Sequence, residues 1–211
     1  MTLPPLHRFI ADLHIHSHLS RATSRDLTIP GLVAWAQRKG IGLVGTGDFT
    51  HPEWLGEIRR TLEEDGTGFL VPRAAVRDEV SRDLPRAVHG DVRFVLSVEI
   101  SSIFRKGDRV RKVHTVVFVP SLAAAERFQI ALSRLGNVTS DGRPILGLEP
   151  LRILQVARDA SSDAFVIPAH VWTPHFSIFG AQSGFDALEE CFEDLSGEVF
   201  ALETGLSSDP A

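Results

Sequence analysis

The chain has 211 residues, 43% of them hydrophobic, and a formal net charge of -5. Its mean hydropathy is close to zero, and the apolar residues are spread along its whole length. This excludes a disordered or fibrous chain and predicts a single core in one domain over residues 1–211, while the mild acidity argues against an extended nucleic-acid track but allows a local basic patch. No apolar run reaches membrane-spanning length, and the N-terminus lacks a basic region followed by an apolar one. Cys191 is the only cysteine, so no internal disulfide is expected, and the chain reads as cytoplasmic with no membrane partner.

Arg8 to Ser17 reads as a strand whose apolar residues lead into a polar end. Thr28 with Pro30 opens a helix, Leu32 to Gln37 supplies its apolar face, and Lys39-Gly40 ends it. Ile41 to Val44 is a buried strand running into Gly45-Thr46-Gly47-Asp48, and His51-Pro52-Glu53 opens a helix extending to Glu64. Arg73 to Gly90 is polar and weakly helical. Arg93 to Ile100 alternates, with Phe94, Leu96, Val98 and Ile100 on one face and Val95, Ser97 and Glu99 on the other. Val113–Val119 is a strong strand, followed by helices over Leu122–Leu135 and Glu149–Ala160. The strand Ala164–Ala169, a helix around Asp186–Leu195 and the strand Val199–Leu202 complete the series. Such alternation predicts an α/β fold with a largely parallel sheet, open or closed into a barrel, and in such folds chemistry gathers where strands end.

His14 and His16, two apart on a strand, leave the same face with Cα atoms about 6.5 to 7 Å apart, a span that one or two metal ions bridge. Asp48 ends the next strand after two glycines and is a candidate ligand, with a helix cap as the alternative. His114 precedes its apolar run, which is the wrong end in an all-parallel sheet. The turn signal Lys106-Gly107-Asp108 resolves this by predicting a hairpin that brings Glu99 and His114 to one edge. His170 follows the apolar run Phe165–Ala169, and Glu203 at the end of the last strand is a further candidate. Imidazoles and carboxylates recurring at strand ends suit Zn, Mn or Fe ions, and several such ions suit hydrolysis of phosphate esters. No Ser-His-Asp order, phosphate-cradling glycine loop or dinucleotide fingerprint competes.

Arg105, Lys106, Arg109, Arg111 and Lys112 form the dense basic stretch of the chain. Lying between Glu99 and His114, it is expected near the ions and in contact with phosphate, with Arg105 or Arg109 positioning it; a solvated loop is the alternative. Trp172 is a candidate for stacking on a base or sugar, or else packs against the protein.

In this order, Asp12-Leu13-His14-Ile15-His16-Ser17, Thr46-Gly47-Asp48, Glu99, His114 and Pro168-Ala169-His170 resemble the polymerase and histidinol phosphatase (PHP) superfamily. The resemblance implies a distorted seven-stranded (β/α) barrel with a trinuclear metal site at the C-terminal ends of its strands, hence two or three divalent ions. His16-Ser17-His18-Leu19-Ser20, Val44-Gly45-Thr46-Gly47-Asp48 and Ala169-His170-Val171-Trp172-Thr173-Pro174 followed by Phe176 are similar to the N-terminal catalytic domain of the endonuclease Q family. That similarity implies nicking of DNA on the 5′ side of deaminated bases and abasic sites, with damaged DNA as partner. It implies His14, His16, Glu99, His114 and His170 as metal ligands and His14, His16, Glu99 and His170 as the catalytic set. Asp48 stands where many relatives carry the histidine of a Thr-Asp-His motif. The superfamily's final Asp-x-His pair is not met before Asp209-Pro210-Ala211, so a barrel incomplete at its C-terminus is expected. The alternatives are a small-molecule phosphatase of the superfamily, acting on a small phosphorylated molecule, and a metal-binding fragment without catalysis.

Overall fold

The structure, a computed structural model, describes residues 8–206 and 209; Pro210 and Ala211, at the expected incomplete end, lie outside the described residues. Strand β1 (Ile10–Asp12) is shorter than the Arg8–Ser17 pattern, and the chain carrying His14 and His16 continues beyond it as a loop. Helix α1 (Ile29–Lys39) starts where the Thr28 hydroxyl accepts from the Gly31 N–H, and it ends at Gly40 in the left-handed conformation. Strand β2 (Ile41–Gly45) follows directly. Helix α2 (Pro52–Thr61) stops at Thr61 rather than Glu64, because Leu62–Glu64 forms a strand, β3, paired antiparallel with β4 (Leu70–Pro72). The polar stretch after Arg73 holds α3 (Ala74–Asp83) and one 3-10 turn, Arg86–Val88. Next come the long strands β5 (Arg93–Lys106) and β6 (Arg109–Val119), then α4 (Leu122–Ser133), β7 (Ile145–Leu146), α5 (Pro150–Ala160), β8 (Phe165–Pro168) and the short α6 (Leu188–Phe192). Among the described residues no helix is long and apolar enough to cross a membrane.

Strand β5 is the spine of the sheet. Its first residues pair with β2 in parallel and with β4 antiparallel; from Leu96 onward it pairs with β6, and at Ser101–Ser102 with β7. Three strand pairings are parallel and four antiparallel, so the sheet is mixed and not largely parallel as the alternation predicts. The β5–β6 hairpin is the cause: a tight turn at Gly107–Asp108 returns the chain beside itself, where a parallel neighbour would have needed a long crossover. The sheet curls into a half-barrel. Strand β1 pairs with β2 and β8 pairs with β6, without a β1–β8 pairing that would close a ring among the described strands. No ladder forms at Val199–Leu202. Instead Glu203 alone makes two backbone bonds, its N–H to the Pro168 carbonyl at 3.1 Å and its carbonyl from the Val171 N–H at 3.0 Å.

The main core contains Trp54, Phe49, Phe94 and Phe128, all fully buried, each contributing roughly 1.5–3 kcal/mol by burial. A smaller apolar cluster of Val116, Phe118 and Ala169, joined by Leu13, Val95 and Ile167, forms separately. Residues two apart on β5 share a face, so Val95 in this cluster is followed on its face by Ser97, Glu99 and Ser101, all buried and all polar. Buried polar groups need partners. Those of Glu99 define the site.

Candidate metal centre

The Glu99 side chain is 1% exposed, and four imidazoles converge on it. His14 Nε2 lies 3.3 Å, His114 Nδ1 2.7 Å and His170 Nε2 3.4 Å from Oε1, while His16 Nε2 lies 3.2 Å from Oε2. These atoms form two groups, His14–His16–Glu99 and Glu99–His114–His170, and within each group the ligand atoms lie within 4.8 Å of one another. Ions bind imidazole nitrogen and carboxylate oxygen at about 2.0–2.2 Å, so each group has the size to surround one ion, with Glu99 common to both.

The far nitrogen of every imidazole is also engaged, as it is in metal-binding histidines generally. His14 Nδ1 lies 2.9 Å from both carboxylate oxygens of Glu203. His16 Nδ1 lies 3.0 Å from Asp48 Oδ1, and Asp48 Oδ2 accepts from the Ser17 N–H (2.6 Å), the Ser17 hydroxyl (2.7 Å) and the Ser20 hydroxyl (2.9 Å). A carboxylate only accepts, so Nδ1 carries the proton in both rings and Nε2 is the atom offered to an ion beside Glu99. His170 Nδ1 lies 3.0 Å from the Thr173 hydroxyl, whose own proton goes to the carbonyl of His170 or His175, so this nitrogen too is the donor. His114 is turned the other way, with Nδ1 toward Glu99 and Nε2 3.1 Å from Ser101 Oγ. The nitrogen and oxygen donors present fit divalent ions of the Zn, Mn or Fe type.

Asp48, expected among the ligands, stands behind His16 and belongs to neither group. From there it contacts the His16 ring on the side away from Glu99. Asp48→Asn is expected to weaken metal binding about 10- to 100-fold, the usual cost of losing such a partner, while leaving the circular dichroism spectrum unchanged. Competition against a chromogenic chelator measures this, and an unchanged affinity would make Asp48 a bystander.

Local folding explains how these groups meet. A Cβ at Gly45 would overlap the Leu13 carbonyl and Ser97 Oγ, and one at Gly47, whose φ is 61°, would overlap the Ile15 carbonyl. Glycine therefore lets the end of β2 lie against the backbone that carries His14 and His16. Trp54 Nε1–H donates to the Thr46 (3.1 Å) and Gly47 (2.8 Å) carbonyls and pins that turn from the core side. Asp48 and His170 are non-glycine residues at positive φ, 50° and 32°. Such strain persists where surrounding bonds impose it: here the bonds of Asp48 to Ser17 and Ser20, and the His170 N–H donated to Glu203 Oε2 at 2.6 Å.

The His14, His16 and His170 side chains are 18%, 22% and 19% exposed and that of His114 is 9%, so the centre is approached over the first three. A cavity of about 370 Å³ opens beside it, walled by Leu13, Val116, Phe118 and Ile167, with Asp12, His14 and Glu203 in its polar lining.

Burial opposes charge on His14, His16, His114, Glu99 and Glu203, and the hydrogen-bonded pairs among them decide which keep it. Against burial, Glu203 and Glu99 hold the His14 imidazole up to about 10, and Asp48 and Glu99 hold that of His16 up to about 9. Burial opposes ionisation of Glu99 as well, but hydrogen bonds from His114, His14, His16 and His170 keep its carboxyl far below the usual range. Burial also outweighs Glu99 at His114, and with the charges of Arg143 and His170 nearby this ring lies below its ordinary value. Glu203 is held low, against burial, by its hydrogen bond with His14.

The structure brings together His14, His16, Glu99, His114 and His170 and places the expected phosphate-contacting residues elsewhere. Ser101–Lys112 is not a loop over the ions but two extended strands, with Lys106 paired to Arg109 at the tip. Six residues of strand separate Glu99 from Arg105, about 20 Å at ~3.3 Å per residue, so Arg105, Lys106 and Arg109 lie away from the centre. Lys106 is held by Glu193 at 2.7 Å and Glu149 at 3.1 Å, and Arg111 packs over the Phe185 ring. Trp172 packs on Phe179, with ring centroids 4.9 Å apart, and remains half-exposed. Residues at the centre that the sequence reading passed over are Arg143, whose Nη1 lies 3.1 Å from Glu99 Oε2, together with Ser101 and Thr173. Strand alternation from Glu99 pointed to Ser101; no sequence signal pointed to Arg143.

Comparison with known proteins yields no matching family model. An uncharacterized protein of Methanocaldococcus jannaschii is 26% identical over 164 residues, covering 77% of this chain and 16% of its own length. The uncharacterized protein YqxK of Bacillus subtilis is 29% identical over 219 aligned positions, covering 96% of this chain and 49% of its own length. Among solved structures, the lesion-specific endonuclease EndoQ of Pyrococcus furiosus superposes with a TM-score of 0.71 at 28% identity, over 96% of this chain and 43% of that one. Endonuclease Q in complex with a 27-mer duplex bearing an abasic lesion at its active site superposes at 0.73 and 30% identity, over 96% and 44%. A candidate metal-dependent phosphoesterase of Bifidobacterium adolescentis shares the fold alone, at TM-score 0.55 and 16% identity, over 99% and 80%. The chain thus spans less than half the length of both curated relatives and of both endonuclease Q chains. Its structural neighbours are endonuclease Q and a candidate metal-dependent phosphoesterase, in agreement with the resemblance of its motifs to the PHP superfamily.

Proposed function

We propose that this chain is a metal-dependent phosphoester hydrolase, and that its substrate is DNA carrying a deaminated base or an abasic site, nicked on the 5′ side of the lesion. The observation that carries the reading is the convergence of four imidazoles on the buried Glu99, each held from behind by a second polar group. Endonuclease Q, similar at 28–30% identity, supports the choice of substrate.

His14, His16 and Glu99 would hold one divalent ion, and Glu99, His114 and His170 a second. Such ions supply Lewis acidity and lower the pKa of bound water toward neutrality. The protein's own part is orientation. Glu203, Asp48, Thr173 and Ser101 fix the four rings, and Glu99 supplies one buried negative charge between the two groups. The catalytic set is then His14, His16, Glu99 and His170.

The test is a nicking assay on the Mn- or Zn-loaded chain, with duplexes that differ only in one uracil or abasic site. Nicking of the lesion duplex with the undamaged duplex intact is expected. His14→Ala should abolish it while preserving the fold, because this ring is not part of the apolar core. Turnover of histidinol phosphate or a nucleotide monophosphate without nicking would replace DNA by a small phosphorylated substrate; the distance of the basic hairpin from Glu99 favours that alternative.

A further inference from the structure

Arg143 is not required to neutralise Glu99, since four imidazoles already surround that carboxylate. It nevertheless reaches the centre, with Nη1 3.1 Å from Glu99 Oε2 and its side chain 36% exposed. Among the described residues Glu99 is its one side-chain partner, which leaves most of the guanidinium's donors without a side-chain acceptor.

The loop that carries Arg143 is built to hold it there. On one side the Gly142 N–H donates to the Leu19 carbonyl at 3.0 Å, and a Cβ at Gly142 would overlap Asp48 Oδ2 and Ser20 Oγ. On the other side the Pro144 carbonyl accepts from the Ser101 N–H at 3.0 Å. Asp141 Oδ1 accepts from the Arg143 N–H at 3.1 Å, and Asp141 Oδ2 pairs with Arg21 Nε at 3.3 Å. The His51 ring nitrogen Nε2 bonds the Thr139 carbonyl at 3.0 Å. The backbone of Arg143 is therefore fastened to the segments that position His16 and His114, and its Nη1 contacts the carboxylate common to both groups.

An ion held by His14, His16 and Glu99 would draw on Glu99 Oε2, the oxygen that faces His16 and that Arg143 now contacts. A tetrahedral oxyanion next to that ion fits a planar guanidinium fork, which grips phosphate through two parallel N–H bonds. We propose that Arg143 is the phosphate-gripping residue of this centre, binding non-bridging oxygens of a phosphate ester; the assignment rests on the hydrolase reading above. It places the phosphate contact on the loop before β7 and not on the β5–β6 hairpin.

The test uses the Zn-loaded 211-residue chain with inorganic phosphate as probe, titrated calorimetrically, and elemental analysis alongside. Arg143→Ala is expected to weaken phosphate binding on the order of tenfold or more at unchanged metal content, Arg143→Lys to recover part of it, and added guanidinium ion to rescue the alanine variant. Equal phosphate affinity in wild type and Arg143→Ala would overturn the proposal. So would loss of metal from both Arg143→Ala and Arg143→Lys, which would make the residue structural. A wild type that binds phosphate through Arg143 but hydrolyses no phosphoester would sink the hydrolase reading and leave this assignment standing. Hydrolysis with phosphate affinity independent of Arg143 would do the reverse.

Discussion

Glu99→Gln is expected to empty the metal centre. Both candidate ion groups contain this carboxylate, and no second carboxylate belongs to either group among the described residues. A glutamine keeps the size but removes the charge, so the two sites lose their common anion together. Metal content, by elemental analysis after dialysis, should fall from about two equivalents to well below one. Hydrolysis should fall on the order of a thousandfold or more, since several kcal/mol of Lewis-acid stabilisation disappear with the ions. The fold should survive, because the main core is made of apolar residues such as Trp54, Phe94 and Phe128, and glutamine keeps the size of the side chain it replaces. Retention of both ions by a folded Glu99→Gln protein would remove the basis of the centre.

Metal uptake should depend steeply on pH. An ion takes only deprotonated imidazole, yet in the metal-free protein Glu203 and Glu99 hold His14 up to about 10, and Asp48 and Glu99 hold His16 up to about 9. At neutral pH the first ion must therefore displace close to two protons, and its apparent affinity should rise on the order of a hundredfold per pH unit from pH 6 to 8, flattening above about 9. Calorimetry in buffers of different ionisation enthalpy counts the protons released. The same shifts set the stability of the metal-free protein. Both folded-state values lie above the ordinary imidazole value of 6.5, so the folded chain binds more protons than the unfolded one. The stabilisation is full below pH 6.5 and is lost as pH rises through 9 to 10, so thermal stability without metal should decline across that window, whereas bound metal should offset the decline. A metal affinity independent of pH, with no proton release, would contradict this picture of the His14–His16 group.

These effects share one cause. Glu203, Asp48, Ser101 and Thr173 each bind the nitrogen that faces away from Glu99, which decides which ring atom is left for an ion. The carboxylates that orient the rings also raise the proton affinity of His14 and His16, so precise placement and proton competition arise together.

Several features were legible in the amino-acid order because they are local. Thr28 and Gly40 bound α1 through side-chain capping and a left-handed backbone, both written within a few residues. The alternation through Arg93–Ile100 set Glu99 apart from the apolar face of its strand, and the turn at Gly107–Asp108 predicted the hairpin that brings it near His114. His14, His16 and His170 were found as polar residues following apolar runs. Other features depended on pairings between distant segments, which local propensity does not encode. Lys106 and Arg109 lie between Glu99 and His114 in the chain but far from them in space, because the intervening residues extend into strands instead of looping back. Asp48 reads equally as ligand or cap until the Leu13–Ser20 segment is laid against β2; only then do Ser17, Ser20 and His16 claim both of its oxygens. The same holds for the mixed pairing around β5 and for Arg143, which reaches Glu99 across 44 residues of chain through a loop anchored at Leu19 and Ser101. Spacing along a chain determines which face of a strand a side chain leaves, but which strands become neighbours is decided by where all the apolar faces are buried together.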